Sequence, residues 1–344
     1  MRRPARARLS GLYRTALAGH GPARALAIAD SRSLVRSLFL SSAIRSGLLD
    51  PLAGGCTAAE LAGLAGCRRA DRLQAWLEVG TELGALARRG DRYRLRGRRA
   101  RAIASGDAVL RAHYRSMLGY QAGCYESLTE LLLADPGQGR DDLSQHAGDI
   151  ARVSQAAVPF VGSYLTEVIR AARPRRILDA GCGTGVYSRI AAAAGPDVLV
   201  DGIDLSQDVI RTARAQVRAA GLQDRIRLHA ADVRSWTPPD GGRYDLVLLL
   251  SNLYYFPSEQ RTGLLRQLGG MLAGHGQLVV ATMTVPGSVA AAHLNFMLTC
   301  QQGAAALPRP GEIEAQMRYA GFGTIRASAI VPGEPFAAIR AQIS

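Results

Sequence analysis

The sequence predicts an α/β protein in which a mainly helical N-terminal part precedes a parallel, doubly wound sheet. Three observations predict it. Apolar strands and amphipathic helices alternate from about residue 177 onward. A glycine-rich turn, Gly181-Cys182-Gly183-Thr184-Gly185, closes the first of those strands. The first hundred residues instead show helical spacing and end on one short alternating strand. Strand–helix alternation at this spacing builds a parallel sheet, because each parallel crossover is long enough to need a helix.

In chain order, Ser31 to Leu48 places Leu34, Val35, Leu38, Ile44 and Leu48 at roughly helical spacing, and Gly54-Gly55 breaks the chain. Thr57-Ala58-Ala59-Glu60 is a capping box, so a short helix over Ala58–Leu64 follows. Arg69–Leu83 predicts a longer helix with Leu73, Trp76, Leu77 and Val79 apolar, and Arg92–Leu95 a short strand. Three helices and a small wing make a winged-helix arrangement. The chain is helical again over 107–172: Leu110–Leu133 is one long pattern or two, and 150–172 runs into Arg173-Pro174, which stops it. Strands are expected over Ile177–Ala180, Val198–Ile203, Ile226–Ala230, Tyr244–Leu250 and Gln277–Thr282. Helices are expected over Val186–Ala194, Gln207–Ala220 and Glu259–Leu272. Gly323–Ile330 and Pro335–Ile339 finish the chain as a hairpin. The expected domains are 1–106, 107–172 and 173–344.

Length and composition bound the function. A chain of 344 residues has room for two domains and a sizeable core, and 48% hydrophobic with 20% charged residues is globular composition. No run approaches the roughly 18 apolar residues of a membrane span. The basic start Met1-Arg2-Arg3 is not followed by a compact apolar stretch and cleavage site. A cytoplasmic location is expected. The five cysteines are widely spaced, with no zinc-like Cys/His cluster, so reduced thiols and no metal are expected. The net charge of +14 is uneven: residues 1–106 hold 20 Arg and 7 acids, whereas 107–344 hold 22 Arg and 21 acids. There is no lysine. Codon bias in a GC-rich genome produces that pattern, so part of the arginine content reflects composition rather than a partner.

The chemistry concentrates at Ile177-Leu178-Asp179-Ala180-Gly181-Cys182-Gly183-Thr184-Gly185. An apolar strand ends in an acid, and a Gly-x-Gly-x-Gly turn then opens a helix. Glycines let the backbone turn sharply and approach a ligand, and the unpaired N–H groups of the helix start favour an anion. Asp204 ends the next strand, 19 residues after Gly185. An acid there can accept both hydroxyls of a ribose. The pattern indicates an adenosine-containing ligand at the switch point of a sheet. The dinucleotide fingerprint wants glycine three residues after Gly183, where this chain has Val186.

The segment from Asp179 to Asp245 resembles the class I S-adenosylmethionine-dependent methyltransferases. The resemblance implies a Rossmann-like, seven-stranded sheet and S-adenosylmethionine as cofactor, with S-adenosylhomocysteine as product. It assigns Asp179 to the methionine amino group, Gly181, Gly183 and Gly185 to the turn, Asp204 to the ribose, Leu205 to the adenine face and Asp232-Val233 to the adenine edge. Leu250, Ser251 and Asn252 end the fourth strand near the transferred methyl, and the terminal hairpin matches the antiparallel seventh strand. The N-terminal part, from Gly47-Leu48-Leu49-Asp50 through Arg92-Tyr93-Arg94-Leu95, is similar to the winged-helix dimerisation domain of natural-product small-molecule methyltransferases. That similarity implies a homodimer.

Methyl transfer needs alignment and desolvation, and a base only where the acceptor must lose a proton. Many relatives place a histidine after the fourth or fifth strand. Here Ser251-Asn252-Leu253-Tyr254-Tyr255-Phe256-Pro257 holds none, which puts a phenol-type histidine base in doubt. His293 follows the fifth strand and is the candidate base, with Tyr254 as the second catalytic candidate. Tyr120, Tyr255, Asn295 and Met297 are candidates for the acceptor pocket, and Tyr125 for an aromatic wall beside Tyr120. His229 reads as a core or edge residue of the third strand and His275 as exposed in a Gly-His-Gly turn. The expected function is methyl transfer to a small molecule in bacterial secondary metabolism. The alternative is a nucleic-acid-binding or RNA-methylating protein that uses the basic N-terminal half. Against it, aromatics other than Tyr93 do not interleave with the Arg92–Arg101 run.

Overall fold

The computed structural model describes residues 21–135 and 138–343. Its contacts divide the chain into two units that meet at Gly123/Cys124.

The first unit is helical with a small sheet. Helices Gly21–Arg45, Leu49–Gly54, Ala58–Leu64 and Ala70–Glu82 precede a wing, and Arg98–Ala104 and Ala108–Ser116 follow it. The capping box is formed: the Thr57 hydroxyl accepts from the Glu60 N–H at 3.1 Å, and the Glu60 carboxylate accepts from the Thr57 N–H at 2.7 Å. The wing has three antiparallel strands, β1 (Cys56–Thr57), β2 (Leu86–Arg89) and β3 (Arg92–Leu95), in the order β1-β3-β2, where one was expected. β1 is too short to show a pattern, and β2 buries Leu86 but ends on two exposed arginines. The first described helix is already formed at Gly21, ten residues before Ser31, and stops at Arg45. Its buried face is Phe39, Leu40 and Ala43, whereas Leu26, Ile28 and Leu34 are exposed.

Phe39 stacks on Trp76 with ring centroids 4.4 Å apart, and the indole N–H donates to the Ser42 hydroxyl at 3.0 Å. Gly80 permits this close packing. A Cβ there would stand 2.4 Å from the Phe39 ring and 2.8 Å from Leu86. Gly80→Ala is therefore expected to destabilise this unit by about 1–3 kcal/mol, as overpacking does, despite the better helix propensity of alanine. Urea unfolding followed by tryptophan fluorescence checks this; an unchanged midpoint would contradict it.

The expected helix over Leu110–Leu133 is interrupted. A wider π-type turn, Met117–Gln121, separates Ala108–Ser116 from Ala122–Glu126, and Leu128–Leu133 follows Ser127. Gly119 lies in that turn, where the helix is intrinsically weak. Helices Leu143–Ser154 and Val158–Ala172 come next.

The second unit is built on seven strands: β4 (Arg176–Ala180), β5 (Leu199–Asp204), β6 (Ile226–Ala230), β7 (Tyr244–Leu250), β8 (Leu272–Met283), β9 (Phe322–Ala329) and β10 (Phe336–Ile343). Their order is β6-β5-β4-β7-β8-β10-β9. β4 to β8 are parallel, and β10 lies antiparallel between β8 and β9. The terminal hairpin is thus the antiparallel element expected. β8 begins five residues earlier than the apolar pattern suggested, so His275 lies in its exposed start rather than in a turn. One face buries Val161, Leu165 and Ile169 of the helix before the sheet with helices Val186–Ala194 and Gln207–Ala219. The other packs Leu264, Leu265 and Leu268 of helix Ser258–Gly270, and Ile313 and Met317 of Glu312–Tyr319, against Leu178, Val247 and Leu249. Helix Val158–Ala172 is therefore part of the same core as the sheet. Among the described residues, no helix is long and apolar enough to cross a membrane.

Candidate active site

The chain runs β4, β5, β6 toward one edge and then β7, β8 toward the other. These directions diverge between β4 and β7, and sheets of this kind take their ligands outside the C-terminal strand ends at that point. Gly181, Gly183 and Gly185 follow β4 there, all with left-handed backbone (φ 73°, 54° and 72°). A Cβ on Gly181 would also fall 1.8 Å from the Asn252 side-chain nitrogen, so this position has two reasons to be glycine.

The loop is held from both neighbouring strands. The Gly181 and Cys182 N–H groups both donate to the Ile203 carbonyl at 2.8 Å. The Asp204 carboxylate accepts from the Gly183 N–H at 3.0 Å through one oxygen, and from the Ser206 N–H at 2.9 Å through the other. On the β7 side, Asn252 donates to the Ala180 carbonyl at 2.7 Å. Its own carbonyl oxygen is buried with no donor. Ser251, with φ 56°, makes the turn that presents Asn252, and its N–H is fixed on the Ala281 carbonyl at 2.7 Å.

Asp179 lies beneath the loop, 1% exposed. The Ser188 hydroxyl donates to it at 2.6 Å. Burial, helped by the nearby Asp204 charge and opposed by Ser188, pushes its carboxyl up to about 6. Tyr187 sits beside it, its phenol pushed up to about 12 by burial and the Asp179 charge. Tyr254 and Tyr255 follow β7 with ring centroids 4.9 Å apart. Burial raises both phenols, and the Asp204 charge contributes at Tyr255.

The other expected residues divide into groups. Leu205 is 73% exposed beside Asp204. Asp232 is neutralised by its own neighbour: Arg234 donates to both its oxygens at 2.6–3.0 Å and holds the carboxyl below its ordinary range. The side chains of Val233 and Leu250 are buried in the two cores of the sheet. Tyr120 and Met297 are buried. The Asn295 side-chain oxygen accepts from the Leu307 N–H at 2.8 Å, while the Ala305 N–H donates to the Tyr254 carbonyl at 2.9 Å. One loop thus ties helix Val289–Thr299 to the segment after β7. His293 stacks on Tyr125 (centroids 5.6 Å apart, planes at 10°), with its Nδ1 2.8 Å from the Tyr125 hydroxyl. His229 is half-buried between Trp236 (4.8 Å between centroids) and the buried carboxylate of Asp201 (3.7 Å). That packing suits a structural residue.

Ser188, Tyr187 and Asn252 were missed as site-forming side chains, although Asn252 was placed at the end of its strand. Ser188 and Tyr187 are legible only once the helix start is fixed at Val186. Among the described residues no group of three His, Cys, Asp or Glu side chains could hold a metal.

The site fits an adenosine sulfonium cofactor. The loop lacks Cβ atoms where a ligand must approach, a buried carboxylate awaits a cation, and each Asp204 oxygen, already bound to one N–H, retains a lone pair for a ribose hydroxyl. Residues 177–276 match a family described as a methyltransferase domain. The seven-stranded sheet, preceded in the chain by a helical unit with a three-stranded wing, is a fold shared with solved O-methyltransferases. A ubiquinone biosynthesis O-methyltransferase of Bordetella avium is 32% identical over 99 residues, 29% of this chain and 39% of that protein. A 27-O-demethylrifamycin SV methyltransferase of Amycolatopsis mediterranei is 30% identical over 149 residues, 43% of this chain and 53% of that protein. The chain thus spans about half or less of the length of these curated relatives. The solved mitomycin 7-O-methyltransferase shares the fold with a TM-score of 0.79, covering 95% of this chain and all of that one at 16% identity.

Proposed function

We propose that this protein transfers a methyl group from S-adenosylmethionine to a small-molecule acceptor, in bacterial secondary metabolism and in the cytoplasm. The carrying observation is the pairing of Asp204 with the left-handed glycine loop at the switch point, with Asp179 buried beneath it. The cofactor supplies a methyl carbon already activated on a positive sulfur. The residues of the chain need only hold and align. Asp204 takes the ribose hydroxyls, Asp179 the methionine ammonium, Leu205 covers the adenine, and Asp232 with the Val233 backbone reads its edge. The backbone at Leu250 and Ser251 borders the methyl.

On the acceptor side, Tyr254 and Tyr255 are phenols that keep their protons at neutral pH in any case, and burial raises Tyr254 further. Tyr254 therefore serves as a hydrogen-bond donor that orients the acceptor rather than as a base. His293, aligned by Tyr125, is the proposed base for an acceptor that must lose a proton, with Asn295 and Met297 on the same helix beside it. Proximity and exclusion of water supply most of the rate. The similar rifamycin and mitomycin methyltransferases both act at an acceptor oxygen, which favours a hydroxyl acceptor.

Calorimetric titration with S-adenosylhomocysteine, with NAD as control, tests the reading. Saturable binding of the former alone supports it and opens an acceptor screen; binding of NAD alone overturns it. The exposed apolar side chains Leu26, Ile28 and Leu34 on the first helix favour a homodimer. Ile28→Glu/Leu34→Glu is expected to shift the mass in light scattering from dimer to monomer.

A further inference from the structure

The first unit contains a cleft of about 550 Å³ between the wing and its flanking helices, walled by Ala53, Leu95 and Ala104 and rimmed by Arg94, Arg96 and Arg101. Its charge follows from the strand pattern. β3 alternates, burying Tyr93 and Leu95, so Arg92 and Arg94 point outward.

Several neighbouring arginines have found partners. Arg92 pairs with Glu60 at 3.6 Å and donates to the Gly55 carbonyl at 2.6 Å. Arg111 pairs with Asp50 at 2.6 Å and Arg69 with Asp71 at 2.6 Å. Arg88 lies over the Tyr93 ring at 5.4 Å. In the cleft, Arg101 spends one N–H on the Gly97 carbonyl at 3.3 Å. The guanidinium groups of Arg94 and Arg96 have no partner among the described residues, and no acid lines the cleft. Three like charges around one concavity raise its potential and repel one another, and a bound anion relieves both.

We propose that this cleft binds a small phosphorylated molecule. The volume is that of a small-ligand site, guanidinium forks match phosphate oxygens, and the alanine and leucine walls accept an apolar remainder. A nucleic acid is the less fitting occupant: the concavity is closed in by a few residues rather than drawn out as a track, and its one neighbouring aromatic, Tyr93, is buried.

The test uses the full chain and inorganic pyrophosphate as probe, titrated calorimetrically at about 150 mM salt, where exposed charges are largely screened beyond a Debye length. Arg94→Ser/Arg96→Ser is compared with Arg68→Ser/Arg72→Ser, which removes the same charge outside the cleft. Single-site binding weakened about tenfold or more in the first variant and less than about twofold in the second supports the proposal, since direct charge-assisted contacts are lost only in the first. Non-saturating heats, or equal weakening in both variants, overturn it as general charge attraction. Binding that survives in the cleft variant overturns it too and moves the anion to another site. A duplex oligonucleotide that binds the wild type and resists displacement by pyrophosphate would replace the small ligand by a nucleic acid. Unchanged thermal melting of both variants shows that the fold is intact.

Discussion

Replacing Asp204 by alanine is expected to weaken S-adenosylhomocysteine binding by about a hundredfold or more, the cost of losing two charge-assisted hydrogen bonds. The same carboxylate fixes the Gly183 N–H at 3.0 Å and the Ser206 N–H at 2.9 Å. An alanine there removes the ribose acceptor and also loosens the glycine turn against β5. Asp204→Asn separates the two effects. Its single carbonyl oxygen can keep one backbone donor but cannot serve both the backbone and a diol. It should retain the melting temperature of the wild type more closely than alanine does, yet still lose about tenfold or more in affinity. Calorimetry on both variants, with 5′-methylthioadenosine as a second ligand, checks the assignment. Because that ligand keeps the ribose and lacks the amino acid, it should lose affinity in parallel. Undiminished methylthioadenosine binding would place the ribose elsewhere.

The parts of this protein that were legible in its sequence are those whose cause is local. β7 carries an unbroken apolar run, Leu246–Leu250, because both faces of the sheet are covered, and Thr57-Ala58-Ala59-Glu60 caps a helix with its own side chains. The left-handed glycines announce a turn whatever lies around them. The parts that were not legible depend on distant partners. Asn252 becomes a site residue only because β7 runs beside β4 and brings its side chain onto the Ala180 carbonyl, 72 residues earlier. β1 is a strand because β3 passes Cys56–Thr57, not because of any pattern in two residues. Val233 and Leu250 stand beside the site in sequence, yet their side chains follow the alternation of the sheet and its loops into the cores. The first helix shows the same limit from the other side. Leu34, Val35 and Leu38 have helical spacing, but the buried face is set by where Trp76 and Gly80 approach, which selects Phe39, Leu40 and Ala43.

S-adenosylhomocysteine affinity is expected to fall as pH drops through about 6, by about tenfold per unit below that value, because the ligand ammonium requires the ionised form of Asp179. Burial raises this carboxyl from 3.8 to about 6, and the Asp204 charge adds to it. A carboxyl whose folded value is raised contributes stability that is fully present below its unfolded value near 3.8 and is lost as pH rises through about 6. At pH 7.5 the ligand-free protein therefore carries a buried carboxylate whose cost is on the order of 3 kcal/mol, with only the Ser188 hydroxyl to offset it. A cation placed there by the ligand removes that cost. Asp179→Asn should accordingly melt at a higher temperature than wild type at pH 7.5, by about half that margin at pH 5, and at nearly the same temperature only below about pH 4. It should bind S-adenosylhomocysteine more weakly at pH 7.5 and lose the dependence of affinity on pH between 5 and 7. Titrations across this range in buffers of different ionisation enthalpy would also register the proton released on binding near pH 5.5 in wild type and its absence in the variant. A variant that kept the wild-type slope would show that another group titrates. The site would then be one in which Asp179 braces the loop through Ser188 without meeting the ligand's charge.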